Sequence, residues 1–279
     1  MSGTAFVLSS GGNRGALEIG ALLALLEHGL TPDILVGCSV GALNATGMAV
    51  NPSLEGVQNI AQLWMRAQRE EVFRGNYLSM ARRLLAGRNS LFPNRYLKRF
   101  VENHLPLGFR CFADLKEVAL YIVAADLNTG RLHVFGEDPS DSLVDAIMAS
   151  CAAIPYFPPW NYRGHQYIDG GALNALPLGV ALEKGATEIY AIDVNYIEEV
   201  KEPIRGWLNI LSRVASMVAY QQFLNDLKWT QYLGLARVHH IPMKYHRRLH
   251  LWDLSYSAEM IEVGRKAAEN FLSRSESPE

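Results

Sequence analysis

The sequence predicts an α/β fold built on a mainly parallel sheet, and three observations point to it. Two strand-turn-helix units stand back to back at the N-terminus: "TAFVLSSGG" runs into "RGALEIGALLALLEHG", then "PDILVGCS" into "VGALNATGMAV". Strands and helices alternate again near the C-terminus, from "HQYIDGGALNALPLGVALEKGATEIYAIDVN" to "ARVHHIPM" and the amphipathic "SAEMIEVGRKAAENFL". Finally, 279 residues with 49% hydrophobic and 19% charged side chains are enough for a sizeable core.

Each element has a local reason. "TAFVL" is an apolar run ended by glycines, and the helix formers after it stop at Gly29. "DILVGC" reads as a buried strand, and right-handed crossovers then put the two turns at the same carboxyl edge of the sheet. From Ser53 to His104 the pattern is helical and more polar, with breaks near Gly75 and at Pro93, which predicts a helical insertion covering the sheet edge. "EVALYIVAADLNTGRLHVFG" is a strand, an Asn-Thr-Gly turn and a second strand. "DSLVDAIMASCAAI" is a helix stopped by "PYFPPW", and a further helix is expected to start near Ala172. Residues 204–232 are helix-rich, and 273–279 form a polar tail expected to fray. No repeat or low-complexity linker divides residues 1–279, so a single domain is expected.

Composition excludes several classes. The 26 basic and 28 acidic residues show no long block of either sign, so no nucleic-acid partner is indicated. Cys38, Cys111 and Cys151 are odd in number and widely spaced, which argues against a disulfide framework or a zinc site. No signal peptide, myristoylation signal or spanning segment is read, so a cytoplasmic setting is expected, with contact at a membrane periphery left open. No cofactor is indicated, and a homo-oligomer is not.

Three motifs carry chemistry. Gly37-Cys38-Ser39-Val40-Gly41 matches G-x-S-x-G, the strand-to-helix turn that exposes a serine Oγ and needs glycines because side chains would clash there. The alternative is a small-residue packing turn. "SSGGNRG", Ser9 to Gly15, lets backbone N–H groups converge at a helix start, a place for a phosphate or an oxyanion. It fits neither a dinucleotide fingerprint nor a P-loop, so with a serine elbow one unit later an oxyanion hole around Gly11, Gly12 and Asn13 is the better fit, with Arg14 at its rim. In "YIDGG", Asp169 precedes Gly170 and Gly171 after a strand, and a carboxylate there reaches a neighbouring strand's turn and acts as a base, or caps a helix. None of the eight histidines, at 28, 104, 133, 165, 239, 240, 246 and 250, stands in a telling triad motif; His239 and His240 are the least poor candidates and His165 is four residues from Asp169.

In their order and spacing, "GGNRG", "GCSVGALNA" and "YIDGGALNALP" resemble the patatin-like phospholipase family, as do "DLNTGRLHVF", "AIMASCAAIPYFPP" and "DLSYSAEMIEVGRKAAENFL". The resemblance covers nearly the whole chain outside the insertion and the tail. It implies a three-layer α/β/α architecture and a calcium-independent lipid acyl hydrolase, of phospholipase A or lysophospholipase type. It also implies Ser39 as nucleophile and Asp169 as its partner in a Ser-Asp dyad without histidine, with Gly11, Gly12, Asn13 and Arg14 as the oxyanion loop. Ser10 stands where the family usually has a further glycine; at positive φ it would cost roughly 1 kcal/mol or more. Ser9 and Ser10 are alternatively hydroxyl donors near the hole.

Two other classes stay open: an acyltransferase or thioesterase using the same dyad, and a binding protein that holds an anion or lipid without turnover. The apolar stripe Trp207, Leu208, Leu211, Val214, Met217, Val218 and Leu224 is read as a helix packed on the sheet, the other option being an acyl groove or bilayer contact. "SLFPNRYLKRF", with Arg95, Lys98 and Arg99 beside aromatics, is a second membrane-surface candidate.

Overall fold

β1 (Gly3–Leu8) and β2 (Ile34–Cys38) lie at the centre of an eight-stranded sheet in the computed structural model, which describes residues 3–195, 203–247 and 249–275. β3 (Ala119–Asp126) joins β2, β7 (Ala186–Asp193) joins β1, and β8 (Arg237–Pro242) completes five parallel strands in the order β3-β2-β1-β7-β8. Beyond β3 the sheet turns antiparallel through β4 (Arg131–Phe135), β5 (Trp160–Tyr162) and β6 (His165–Asp169).

Alternate residues of each central strand feed two separate cores, because successive side chains point to opposite faces. Phe6, Leu8 and Leu35 enter one core with α1 (Gly15–Glu27), α2 (Val40–Val50), α3 (Leu54–Arg66), α7 (Leu143–Ser150) and α10 (Ser257–Ser275). Ala5, Val7 and Val36 enter the other with α8 (Leu178–Glu183) and the second half of α9 (Trp207–Leu233). Burial on both faces is why these strands are apolar without alternation, and the result is a three-layer α/β/α architecture. α4 (Arg69–Val72), α5 (Tyr77–Leu85) and α6 (Arg95–His104) follow α3, joined by the non-helical stretches 73–76 and 86–94.

Register brings the site together. β2 pairs Cys38 with Val123 and β6 pairs Asp169 with Ala124, the next residue of β3. β4 occupies the other edge of β3 over the same stretch, so the ends of β2 and β6 meet along one edge. Residues 131 positions apart in sequence become neighbours by that meeting.

Three expectations need correcting. The helix predicted from Ala172 starts at Leu178; Gly170–Ala172 is a single 3-10 turn, and the segment after it is held extended by the Ser10 N–H donating to the Ala175 carbonyl at 2.9 Å. The tail begins later than predicted, since α10 continues to Ser275 with the Ser273 hydroxyl donating to the Glu269 carbonyl at 2.8 Å; residues 276–279 lie outside the described residues. In α9, Phe223 is buried and Tyr220, Leu224 and Leu227 pack on the sheet, but Leu211, Val214, Met217 and Val218 are exposed. The stripe therefore splits at Tyr220 because no described residue from 203 to 219 reaches either core. The side chains of Trp207 and Leu208 lie outside the described residues.

Candidate active site

Ser39 sits between β2 and α2 at φ 55° and ψ −119°, one of two non-glycine residues at positive φ among those described. Such a conformation costs on the order of 1–3 kcal/mol and persists only where its surroundings dictate it. Here they do. The Ser39 N–H donates to Ser150 Oγ at 2.7 Å, and the Ser150 hydroxyl donates to the Val123 carbonyl at 2.7 Å. The Ser39 carbonyl accepts from Ala42 N–H at 2.9 Å and from the Cys151 thiol at 3.2 Å. Gly37 and Gly41 are required by close approach: a Cβ on Gly37 would lie 2.5 Å from the Gly41 carbonyl oxygen, and one on Gly41 2.5 Å from that of Leu8.

The Asp169 carboxylate accepts from the Gly171 N–H at 2.8 Å and lies 3.8 Å from the thiol of Cys38, the neighbour of Ser39. Burial pushes the Asp169 carboxyl up to about 6, against the opposing pull of the Ser39 side chain and the Gly171 N–H. A carboxylate with that affinity for a proton is a far better base than a solvated aspartate. Burial likewise pushes the Cys38 and Cys151 thiols well up, so both flank Ser39 as neutral groups.

The glycine loop differs from expectation in detail. The Asn13 N–H is taken by the Leu251 carbonyl at 3.2 Å and the Arg14 N–H by that of Gly11 at 3.2 Å. Among the described residues the N–H groups of Gly11 and Gly12 have no partner, and Gly12 lines the same cavity as Ser39. Gly12 is at φ 59°, and a Cβ there would strike Leu251 at 2.4 Å. Asn13 is a clamp instead, its side-chain amide donating to the His250 carbonyl at 3.1 Å and that of Asp253 at 2.9 Å. Arg14 is exposed, and its guanidinium donates to the Val194 carbonyl at 3.1 Å; desolvation lowers its pKa against the pull of Asp193.

Ser10 is not at positive φ, so the missing glycine causes no strain. Its hydroxyl accepts from the Asn195 amide at 2.8 Å, and Ser9 Oγ accepts from the Val194 N–H at 2.9 Å; both serines are tied to the end of β7 rather than turned to the hole.

Beside Ser39 opens a cavity of about 470 Å³. Its walls come from the helices after the elbow: Leu43 and Val50 of α2, Ile60 and Trp64 of α3, Leu97 and Phe100 of α6. No described residue of α9 lines it; the insertion shares its lining with α2, α7 and the loop at Leu251 and Leu254. Behind its wall Trp64 Nε1 donates to Asn44 Oδ1 at 2.9 Å, and the Asn44 amide donates to the buried Glu18 at 2.8 Å. Burial raises the Glu18 pKa well above its usual value, against the opposing pull of the Asn44 hydrogen bond.

The histidines are engaged elsewhere. His239 pairs with Glu188, His240 with Asp193 at 3.0 Å and His165 with Asp126 at 2.8 Å. His104 lines the cavity, but the groups acting on Asp169 are Ser39, Gly171 and Cys38. Among the described residues no cluster of three His, Cys, Asp or Glu side chains could hold a metal ion. Sequence reasoning missed Ser150 and Cys151, which hold the elbow from the end of α7, and Glu18 of α1, which holds Asn44 of α2. The only local signal was the run of small residues in "MASCAA".

The model for the family described as patatin-like phospholipase matches residues 6–182. Mouse patatin-like phospholipase domain-containing protein 7 is 29% identical over 79% of this chain and 16% of its own length. The Drosophila melanogaster protein named neuropathy target esterase sws is 28% identical over 72% of this chain and 14% of its own. The chain thus spans about a sixth of the length of these relatives. Among solved structures, VipD from Legionella pneumophila superposes with a TM-score of 0.50 at 15% identity, covering 98% of this chain and 67% of that one, a likeness of fold. With the matched region running from β1 through the elbow and Asp169 into α8, this chain belongs to the patatin-like phospholipase family.

Proposed function

We propose that the protein is a lipid acyl hydrolase that cleaves carboxylic esters through an acyl-enzyme on Ser39, with Asp169 as its base. The observation that carries this reading is the meeting of Ser39, held at positive φ after β2, with the buried Asp169 carboxylate at the end of β6, whose pKa burial raises to about 6. Asp169 takes the hydroxyl proton as Ser39 Oγ attacks the ester carbonyl, and returns it to the leaving alcohol as the tetrahedral intermediate collapses. Water then enters, gives its proton to Asp169 and attacks the acyl carbon, and Ser39 leaves with that proton. The oxyanion is assigned to the Gly11 and Gly12 amides; a lost donor of this kind costs on the order of 10²–10³ in rate.

The apolar cavity beside Ser39 supports an acyl chain as the group it admits, and so a phospholipase A or lysophospholipase type of substrate. A name containing "esterase" on one relative and the family description point the same way. Acyl transfer or thioester hydrolysis would use the same dyad, differing in the acceptor or the leaving group. A cytoplasmic setting with peripheral membrane contact completes the reading; no helix among the described residues is long and apolar enough to cross a membrane.

The test is a panel of a phospholipid, a lysophospholipid, a monoacylglycerol and an acyl thioester, run on wild type and Ser39→Ala. Fatty-acid release by the wild type alone is expected. Activity retained in Ser39→Ala, or ligand binding without any turnover, would overturn the assignment.

A further inference from the structure

The net charge of −2 conceals a strong asymmetry. Residues 66–99 carry nine Arg or Lys against two Glu, while the rest of the chain carries 17 against 26. Outside this stretch Arg163 faces Asp138 and Asp141, Arg247 faces Glu259, and Arg265 faces Glu27 and Glu269. Within it Arg69 faces Glu70 and Lys98 faces Glu102. Among the described residues Arg74, Arg82, Arg83, Arg88 and Arg95 have no carboxylate partner.

These arginines also crowd one another. Arg74 and Arg95 both lie over the Tyr96 ring, at 5.4 and 4.8 Å from its centroid. Arg83 donates to the Ser90 carbonyl and hydroxyl, and after burial the charges of Arg88 and Arg95 lower its pKa. Like charges gathered without counter-charges cost free energy, which an anionic partner would relieve.

α5 adds an apolar component. It buries Met80 and exposes Leu78 at 78% and Leu85 at 90%, with Arg82 between them on the same helical face and Tyr77 beside it at 77%. A polyphosphate chain has no use for exposed leucines; a bilayer interface has, because leucines enter the acyl boundary while arginine heads stay among the phosphates. The neighbouring helices α4 and α6 send Val72, Leu97, Phe100 and Val101 into the cavity beside Ser39.

We propose that this face, Arg74, Arg82, Arg83, Arg88 and Arg95 around Leu78 and Leu85, docks the protein on a lipid bilayer of negative surface charge. The partner is thus an anionic membrane, and its binding brings the lipid phase to the helices that wall the cavity. This placement rests on the reading of the protein as a lipid acyl hydrolase, but its test does not.

The full chain is co-sedimented with phosphatidylcholine vesicles with and without phosphatidylserine, at low and high salt. Binding to the anionic vesicles alone, weakened by salt, is expected. Arg74→Gln/Arg82→Gln/Arg88→Gln should lower it by about 100-fold, at about fivefold per arginine, with hydrolysis of a soluble short-chain ester unchanged. Leu78→Ser/Leu85→Ser should weaken it as well, whereas Leu211→Ser/Val218→Ser on α9 should not. Equal binding to neutral vesicles, salt-insensitive binding, loss only in the α9 variant, or capture of inorganic polyphosphate without vesicle binding would overturn the proposal. Failure of the wild type to cleave the soluble ester would instead count against the hydrolase reading alone.

Discussion

The sheet edge that holds Ser39 and Asp169 and the helical insertion of residues 54–104 are built on opposite principles. At the sheet edge, position is set by strand register: Cys38 and Asp169 pair with consecutive residues of β3, and both the N–H and the carbonyl of Ser39 have partners. In the insertion, short helices present cavity-lining residues on one side and unpaired arginines and leucines on the other. The first arrangement is intolerant of change and suits bond-making chemistry. The second can vary in shape and charge without disturbing the strand ends, and suits the choice of acyl chain and of surface.

Variants that cut into the sheet edge should have the largest effects. Ser39→Ala and Asp169→Asn are each expected to reduce ester hydrolysis by a factor of at least about 10³ while circular dichroism stays unchanged, since they remove the nucleophile and its base. Next comes Ser150→Ala, which strips the Ser39 N–H of its buried acceptor at the residue already strained in φ. An unsatisfied buried donor costs about 1–3 kcal/mol, so a fall of roughly 10- to 100-fold is expected, in kcat rather than KM.

Changes in the insertion should redirect rather than abolish activity. Ile60→Trp adds bulk to the cavity wall and should shift preference toward shorter acyl chains by about tenfold in relative kcat/KM, with turnover of a short-chain ester kept. An unchanged chain-length profile would break the division of labour between the two regions.

The pH dependence sharpens the same contrast. Asp169 must be ionised to act, so kcat/KM should fall about tenfold per pH unit below about 6 and level off above it. Its proton affinity in the fold is raised from 3.8 to about 6, so the folded state favours the protonated acid. The stability it contributes is complete below about pH 4 and is lost as pH rises through about 6. Asp169→Asn should therefore melt higher than wild type above pH 6, by up to about 3 kcal/mol, and the gap should close toward pH 4. The smallest expected effect is that of a chelator, which should leave hydrolysis unchanged.

The strands, most helices and the three glycine-bearing motifs were legible because each depends on a local signal: apolar runs, helix formers, turn residues. Ser39, Asp169 and Gly12 stand out in the sequence for that reason. What failed to show depends on tertiary contact. Nothing near Asn13 signals that its side chain holds the 250–253 loop, and nothing near Ser150 signals that it anchors Ser39. α9 misled in the other direction, since its helical periodicity is one pattern while only its second half meets the sheet. The balanced total charge likewise hid the basic face of the insertion, because composition averages over what the fold separates.

The central claim, a serine activated by an aspartate without a histidine, is tested most directly by fluorophosphonate labelling read by intact-protein and peptide mass spectrometry. Wild type should gain one adduct, on Ser39, and should still do so in His104→Ala and in His165→Ala. Asp169→Asn should stay unlabelled over the same interval. An adduct elsewhere, full labelling of Asp169→Asn, or loss of labelling in a histidine variant that remains folded would contradict the account.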